Sequence, residues 1–184
     1  MEVISKNLKI EKLIKLILIS LIGTILITIS AKVKIPFYPV PMTMQTFVIL
    51  LIGITLGYKM GLATVALYLM EGLLGLPVFA SSPEKGIGVA YFIGPTMGYL
   101  IGFLFATFLS GYLNLNTNIF LVFLKLILSV SIIYILGMFW LGSLIGWEKP
   151  IFELGAKPFL LAELFKILLL TLLSKKLIKL RKFI

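Results

Sequence analysis

The stretch from Met42 to Ala80 constrains this chain most: 39 residues interrupted by only two charges, Lys59 and Glu71. As one helix it would be about 58 Å long, nearly twice the ~30 Å apolar thickness of a bilayer. It must therefore cross such a layer twice, turning at Gly57-Tyr58-Lys59. The predicted spans are Thr43 to Gly57 and Met60 to Leu74, both short. A soluble core is not an alternative. Of the 184 residues 60% are hydrophobic and 13% charged, with a mean hydropathy of +1.15, against roughly half and a quarter in soluble domains. A soluble fold of this size leaves about a third of its chain's area in water, too much to hide so much apolar surface.

The other apolar runs complete a bundle. They are Leu13 to Ala31, about Thr96 to Tyr112, Ile119 to Trp140, and Phe159 to Ser174. A cleaved signal peptide is the rival reading of the first run, whose flank carries Lys6, Lys9 and Lys12. The run is long for that role, and Ile29-Ser30-Ala31 lacks an A-x-A ending. The predicted fold is all-α: a polytopic membrane protein, one compact bundle of six transmembrane helices with short loops, spanning 1–184 as a single substrate-binding domain. Lys6, Lys9, Lys12, Lys15, Lys59, Lys175, Lys176, Lys179, Arg181 and Lys182 fall on one side. Lys32, Lys34, Lys85, Lys149 and Lys157 fall on the other. Both termini should then be cytoplasmic. The +10 net charge is mostly this topology signal with some attraction to anionic lipid, not a nucleic-acid surface.

Composition excludes much chemistry. His and Cys are absent, and the seven acidic residues are all Glu. Histidine triads, Cys/His metal sites, disulfides and aspartyl dyads are therefore ruled out. No G-x-x-x-x-G-K-[ST] loop occurs, so the chain does not power itself with ATP. An intramembrane enzyme would have only Ser, Thr, Tyr, Glu and Lys to use, and no motif sets a nucleophile beside a base. No metal or cofactor is expected.

The unusual segments converge on the outer side. Ile35 to Val40 and Pro41 form a loop stiffened by three prolines. The connection from Gly75 to Pro95 is the longest at 21 residues, and loops of that length are usually functional or disordered. Its Tyr91 and Phe92 argue against disorder. The third outer loop carries Glu148 and Glu153 and leads into Glu163 and Lys166, an acid and a base three residues apart inside the last span. Such groups are costly in lipid and share one helix face. They either neutralise each other while stapling helices or line an outward cavity and contact a polar ligand. Gln45 is a ligand contact or a helix-packing bond, and Glu71 reaches the cavity or pairs with a loop lysine. Lys125 can snorkel to the cytoplasmic end. Gly94, Gly98, Gly102, Ala106 and Ser110 form a small-residue groove, serving internal packing or a homo-oligomer contact.

Val40-Pro41-Met42-Thr43-Met44-Gln45-Thr46 resembles the P-V-P-x-T-x-Q-T signature of the BioY family, biotin-binding S components of energy-coupling factor (ECF) transporters. Gly75-Leu76-Pro77-Val78-Phe79-Ala80 and the run Gly94-Pro95-Thr96-Met97-Gly98-Tyr99-Leu100-Ile101-Gly102-Phe103 are similar to that family's G-L-P-V-F-A and G-P-T-x-G-Y-L-x-G-F. Pro158, Glu163 and Lys166 are similar to its P-x4-D-x2-K. The resemblance covers nearly the whole chain. It implies high-affinity biotin uptake across the cytoplasmic membrane of a prokaryotic cell, with a coupling subunit and an ATPase pair as partners. It places the biotin rings among Tyr38, Tyr91 and Tyr99, with Glu163 accepting from a ureido N–H. Gln45 or Ser81 would serve the other polar edge and Lys166 would neutralise the carboxylate. The roles of Gln45, Ser81 and Glu163 are interchangeable at this level. Departures are Glu163 for the usual Asp, Ser81-Ser82-Pro83-Glu84-Lys85 for a glycine-rich stretch, and Ser20, Thr24 and Thr28 where alanines face the coupling subunit. The alternative is a stand-alone or dimeric secondary carrier, proton- or cation-coupled through Glu163 or Glu71.

Overall fold

A computed structural model of the chain describes residues 2–183. The elements are α1 (Glu2–Lys32), a two-residue antiparallel ribbon of β1 (Lys34–Ile35) and β2 (Met42–Thr43), α2 (Gln45–Leu73) and α3 (Val89–Phe92). They continue with α4 (Met97–Tyr112), α5 (Ile119–Ile145), α6 (Ile151–Gly155) and α7 (Leu160–Lys179). Lys6 and Lys9, counted in the basic N-terminal flank, lie outside the residues whose side chains are described. Three apolar stretches, Ile10–Lys32, Gln45–Leu73 and Ile119–Ile145, are long enough to cross a membrane by length and composition, and Met97–Tyr112 is a shorter apolar helix.

The second of these folds back on itself. Gly57 leaves the helix at φ 74° and ψ 173°, a left-handed conformation that glycine adopts without a Cβ clash. Gly61 then lies against Gly53, and Gln45 hydrogen-bonds Tyr68 at 2.8 Å. In a continuous helix those last two residues would be about 34 Å apart. The predicted turn is therefore present, between arms of residues 45–56 and 58–73 that are about 18 and 24 Å long. Arg181 donates to the carbonyls of Ile54 (2.7 Å) and Gly53 (3.2 Å), satisfying acceptors that the helix end leaves without internal partners.

The small-residue groove is used inside the bundle. Gly98 abuts Leu136 and Trp140 of α5, Gly102 meets Ile133, and Thr107 and Ser110 press on Gly53 of the hairpin. α4 is thus gripped between α2 and α5, the internal-packing option of the sequence reading. α1 turns Ser20, Thr24, Ile27 and Ala31 inward, at helical spacing, while Leu13, Ile14, Ile17, Leu18, Leu21, Ile22 and Ile25 stay exposed, a surface suited to lipid. Its hydroxyls are spent internally: Thr64 bonds Ser20 at 3.3 Å and Thr24 bonds Glu71 at 3.0 Å. Ser20 and Thr24 thus face the bundle, and Thr28, half-buried, donates to the Thr24 carbonyl at 2.9 Å.

Several ends differ from expectation. α5 continues five residues past Trp140 and α7 five past Ser174, because lysines and glycine-flanked apolar residues extend a helix beyond the part that hydropathy detects. Asn118 caps α5 by accepting from the Leu121 amide at 2.8 Å. Pro158 sits in the single 3₁₀ turn Lys157–Phe159 that feeds α7, where its missing N–H costs nothing. The proline-stiffened loop is closed at its base by the pairs Lys34↔Thr43 and Ile35↔Met42.

Candidate functional site

A narrow cavity lies beneath the proline loop, with a free volume of about 50 Å³, so a ligand larger than a few waters enters only as its walls part. Val40, Pro41, Met42 and Thr43 roof it, Gln45 and Thr46 enter from the first turn of α2, and Ala80 and Tyr91 come from the long connection. Thr96, Tyr99, Leu100 and Phe103 of α4 and Ile133 and Tyr134 of α5 form the walls, and Phe159 and Glu163 close it from α7.

The long connection is held over this space by Lys32 at the end of α1 and Lys34 in β1. Lys32 donates to the carbonyls of Phe79 (2.7 Å) and Ser82 (2.8 Å). Lys34 donates to the Ala80 carbonyl (2.9 Å) and to Glu84 (3.0 Å). Hydrogen bonding and charge from Lys34 together hold the Glu84 carboxyl below its usual range. Phe79 in turn stacks on Tyr91, with ring centroids 4.7 Å apart, so the clamp is transmitted to a cavity wall. Tyr99 is fixed by donating to the Gly155 carbonyl at 2.7 Å. Tyr134 lies edge-on to Tyr99 and stacks with Phe159. The result is an aromatic sleeve.

The polar end is built around Glu163, which is 4% exposed. Its Oε1 accepts from Thr46 and from Lys166, both at 2.7 Å. Lys166 also donates to the Thr43 carbonyl (2.6 Å) and to Thr46 Oγ1 (3.0 Å), which uses all three ammonium hydrogens. Glu163 Oε2 is buried and takes no part in those bonds, and the Tyr134 phenol lies beside the carboxyl, within reach of a hydrogen bond to it. A buried acceptor left empty costs about 1–3 kcal/mol. That oxygen can therefore exchange the phenol for a ligand's N–H or O–H.

Of the residues expected from the sequence, Gln45, Tyr91, Tyr99 and Glu163 meet at the cavity. Gln45 uses its amide N–H on Tyr68, whose hydroxyl donates on to the Val78 carbonyl at 3.1 Å. Its amide oxygen has only a 3.4 Å contact from Thr43. Lys166 is not among the cavity-lining residues: it is 5% exposed and donates to Glu163, Thr43 and Thr46, whereas Glu163 is part of the lining. Ser81 lies behind the wall, its amide donating to the Tyr91 hydroxyl at 3.4 Å. Tyr38 is 86% exposed and sits under Lys85 outside the cavity, because the ribbon turns its side chain away. Among the described residues Glu71 lines no part of this cavity and pairs with no lysine, and it accepts from Thr24. Lys125 reaches the Asn114 carbonyl at the end of α5, as a snorkelling lysine would. Thr46, Tyr134 and Phe159 were not singled out beforehand. Thr46 sits within the quoted P-V-P motif, and Tyr134 is a lone phenol in an apolar run, a weak signal that could have marked it.

Comparison with known proteins gives a consistent picture. A family model described as the BioY family matches residues 4–183. The chain is 38% identical over 160 residues to a biotin transporter of Thermotoga maritima, covering 86% of this chain and 93% of that one. It is 33% identical over 152 residues to a probable biotin transporter of Pyrococcus horikoshii, covering 83% and 89%. Among solved structures it is similar to the S-component for biotin from an ECF-type ABC transporter, at TM-score 0.76 and 28% identity, covering 92% of this chain and 93% of that one.

Proposed function

The chain belongs to the BioY family, and from that membership and its cavity we propose that it binds biotin and takes it up across the membrane as the substrate-capturing S subunit of an ECF-type transporter. A separate ATPase pair and a transmembrane coupling subunit energise it, since the sequence has no nucleotide loop. It works by binding and release, without cofactor or catalytic step, in the cytoplasmic membrane of a prokaryote. The hairpin arms of α2 together with α1, α4, α5 and α7 make six crossings, and the lysine distribution puts both termini in the cytoplasm.

The observation that carries the reading is the Glu163 carboxyl, buried at the end of an aromatic sleeve with Oε2 free of Thr46 and Lys166. A ureido N–H of biotin takes the place of the Tyr134 phenol at that oxygen, the bicyclic ring lies between Tyr91, Tyr99, Tyr134 and Phe159, and the Gln45 amide oxygen takes the second N–H. Thr46 and Lys166 hold the carboxyl in place. The biotin carboxylate points toward the proline loop, where Lys85 donates to the Pro39 carbonyl at 3.4 Å and keeps donors to spare. A proton- or cation-coupled carrier would need an exchangeable carboxylate, and nothing favours it: Glu163 is tied to Lys166 and Glu71 to Thr24. Titration calorimetry of detergent-solubilised protein with biotin tests the reading. Saturable one-to-one binding is expected, and its absence in folded protein would overturn the assignment.

A further inference from the structure

At the end of the bundle opposite the cavity, a second recess lies between the α4–α5 connection and the end of α7, and biotin capture makes no use of it. Asn116, Thr117, Lys175, Ile178, Lys179 and Lys182 line it, with about 890 Å³ of space counted to open solvent. Lys175, Lys179 and Lys182 follow one another at intervals of four and three, so they share one helix face. Among the described residues none of the three pairs with a carboxylate. Thr117 Oγ1 is buried there and makes no hydrogen bond, although a hydroxyl can both donate and accept.

Cations near a helix C-terminus are favoured by its dipole, and lysines gather on the cytoplasmic side of membrane proteins. Those effects account for the charge. They do not account for a concave wall that holds an empty hydroxyl donor among three unpaired ammonium groups and the exposed side chain of Asn116. Such a donor set suits a tetrahedral oxyanion. We propose that this recess binds a phosphate group, carried by the headgroup of an anionic lipid. The lipid source fits because the lysines follow directly on an apolar helix, at headgroup depth, and Ile178 gives the recess an apolar floor for the glycerol end.

The test uses the full chain, reading bound lipid by native mass spectrometry after transfer from mixed phosphatidylglycerol and phosphatidylcholine micelles. Wild type should retain phosphatidylglycerol selectively. With each lysine near an anionic surface worth roughly fivefold, Lys175→Gln/Lys179→Gln should cut retention by about 25-fold, and Thr117→Val by a smaller factor. Lys59→Gln/Lys176→Gln removes the same charge at the same end of the bundle but outside the recess, and should change retention less than twofold. Unaltered biotin affinity in every variant reports a folded protein. In a second arm inorganic phosphate is titrated at millimolar concentration. Displacement of the lipid, or recess-dependent thermal protection, would support the site and assign it to soluble phosphate. Equal loss in the recess and control variants, or no binding of either probe, would overturn the proposal.

Discussion

Replacing Glu163 by Gln keeps the shape of the side chain and removes its charge. A hydrogen bond to a charged group contributes about 1.5–3 kcal/mol and one to a neutral group about 0.5–1.5. The difference of about 1–1.5 kcal/mol predicts roughly five- to tenfold weaker biotin binding. The same change strands Lys166, whose ammonium then keeps Thr43 and Thr46 as acceptors but loses its counter-ion. Breaking one side of a buried pair costs about 3–5 kcal/mol, so the single variant should also melt early. Adding Lys166→Met removes the stranded charge and should recover much of that stability. It should not recover affinity, because Lys166 does not line the cavity. Calorimetric titration and thermal unfolding of the two single variants and the double variant form a double-mutant cycle. A biotin analogue methylated on its ureido nitrogen adds a ligand-side control: wild type should discriminate against it more than Glu163→Gln does. If the thermally recovered double variant binds biotin within twofold of wild type, Glu163 does not contact the ligand and the reasoning fails.

Tyr38→Ala should leave biotin affinity within twofold of wild type, since that ring lies outside the cavity, and a tenfold loss by calorimetry would place it on the ligand. Gly98→Leu should abolish or grossly destabilise the folded state, because the space beyond its Cα is occupied by the Leu136 backbone and Trp140, as read by thermal unfolding. Acidification should loosen the long connection. Lys34 depresses the folded pKa of Glu84, so the anchoring is fully present above the unfolded value and is lost as pH falls through the lowered folded value. Hydrogen exchange at amides 80–90 should rise in that range, and Glu84→Gln should exchange fast at every pH.

Hydropathy and charge made the layout of the bundle readable, and local chemistry made its turn readable. Gly57 between two apolar runs announces a reversal, because a 39-residue run is too long to be crossed once. Glu163 was conspicuous because an acid in lipid needs a reason. What stayed hidden was the direction of side chains. Lys166 looks as available as Glu163 at a spacing of three, and only the positions of the Thr43 carbonyl and Thr46 show that its donors are spent. Tyr38, Ser81 and Glu71 lie off the cavity lining for a similar reason. Which way a loop or helix end faces depends on a pairing such as Lys34↔Thr43 or a hydroxyl such as Thr24, and these lie far away along the chain. Tyr134 is the converse, an unremarkable residue in an apolar run that neighbouring rings turn into a wall.

The unequal lengths of the helices bear on the surrounding lipid. The hairpin arms and α4 are neighbours of about 18 to 24 Å, whereas α5, with 27 residues, extends about 40 Å. No bilayer of uniform depth can match both, so the acyl chains beside the short group must compress while those beside α5 stretch or let it lean. The 31-residue α1 packs on the other side of the hairpin, so the lipid collar is pinched beside the short group and stretched beside α1 and α5. The elastic cost of that uneven collar depends on membrane depth, and a thinner membrane should lean the long helices before it alters any contact inside.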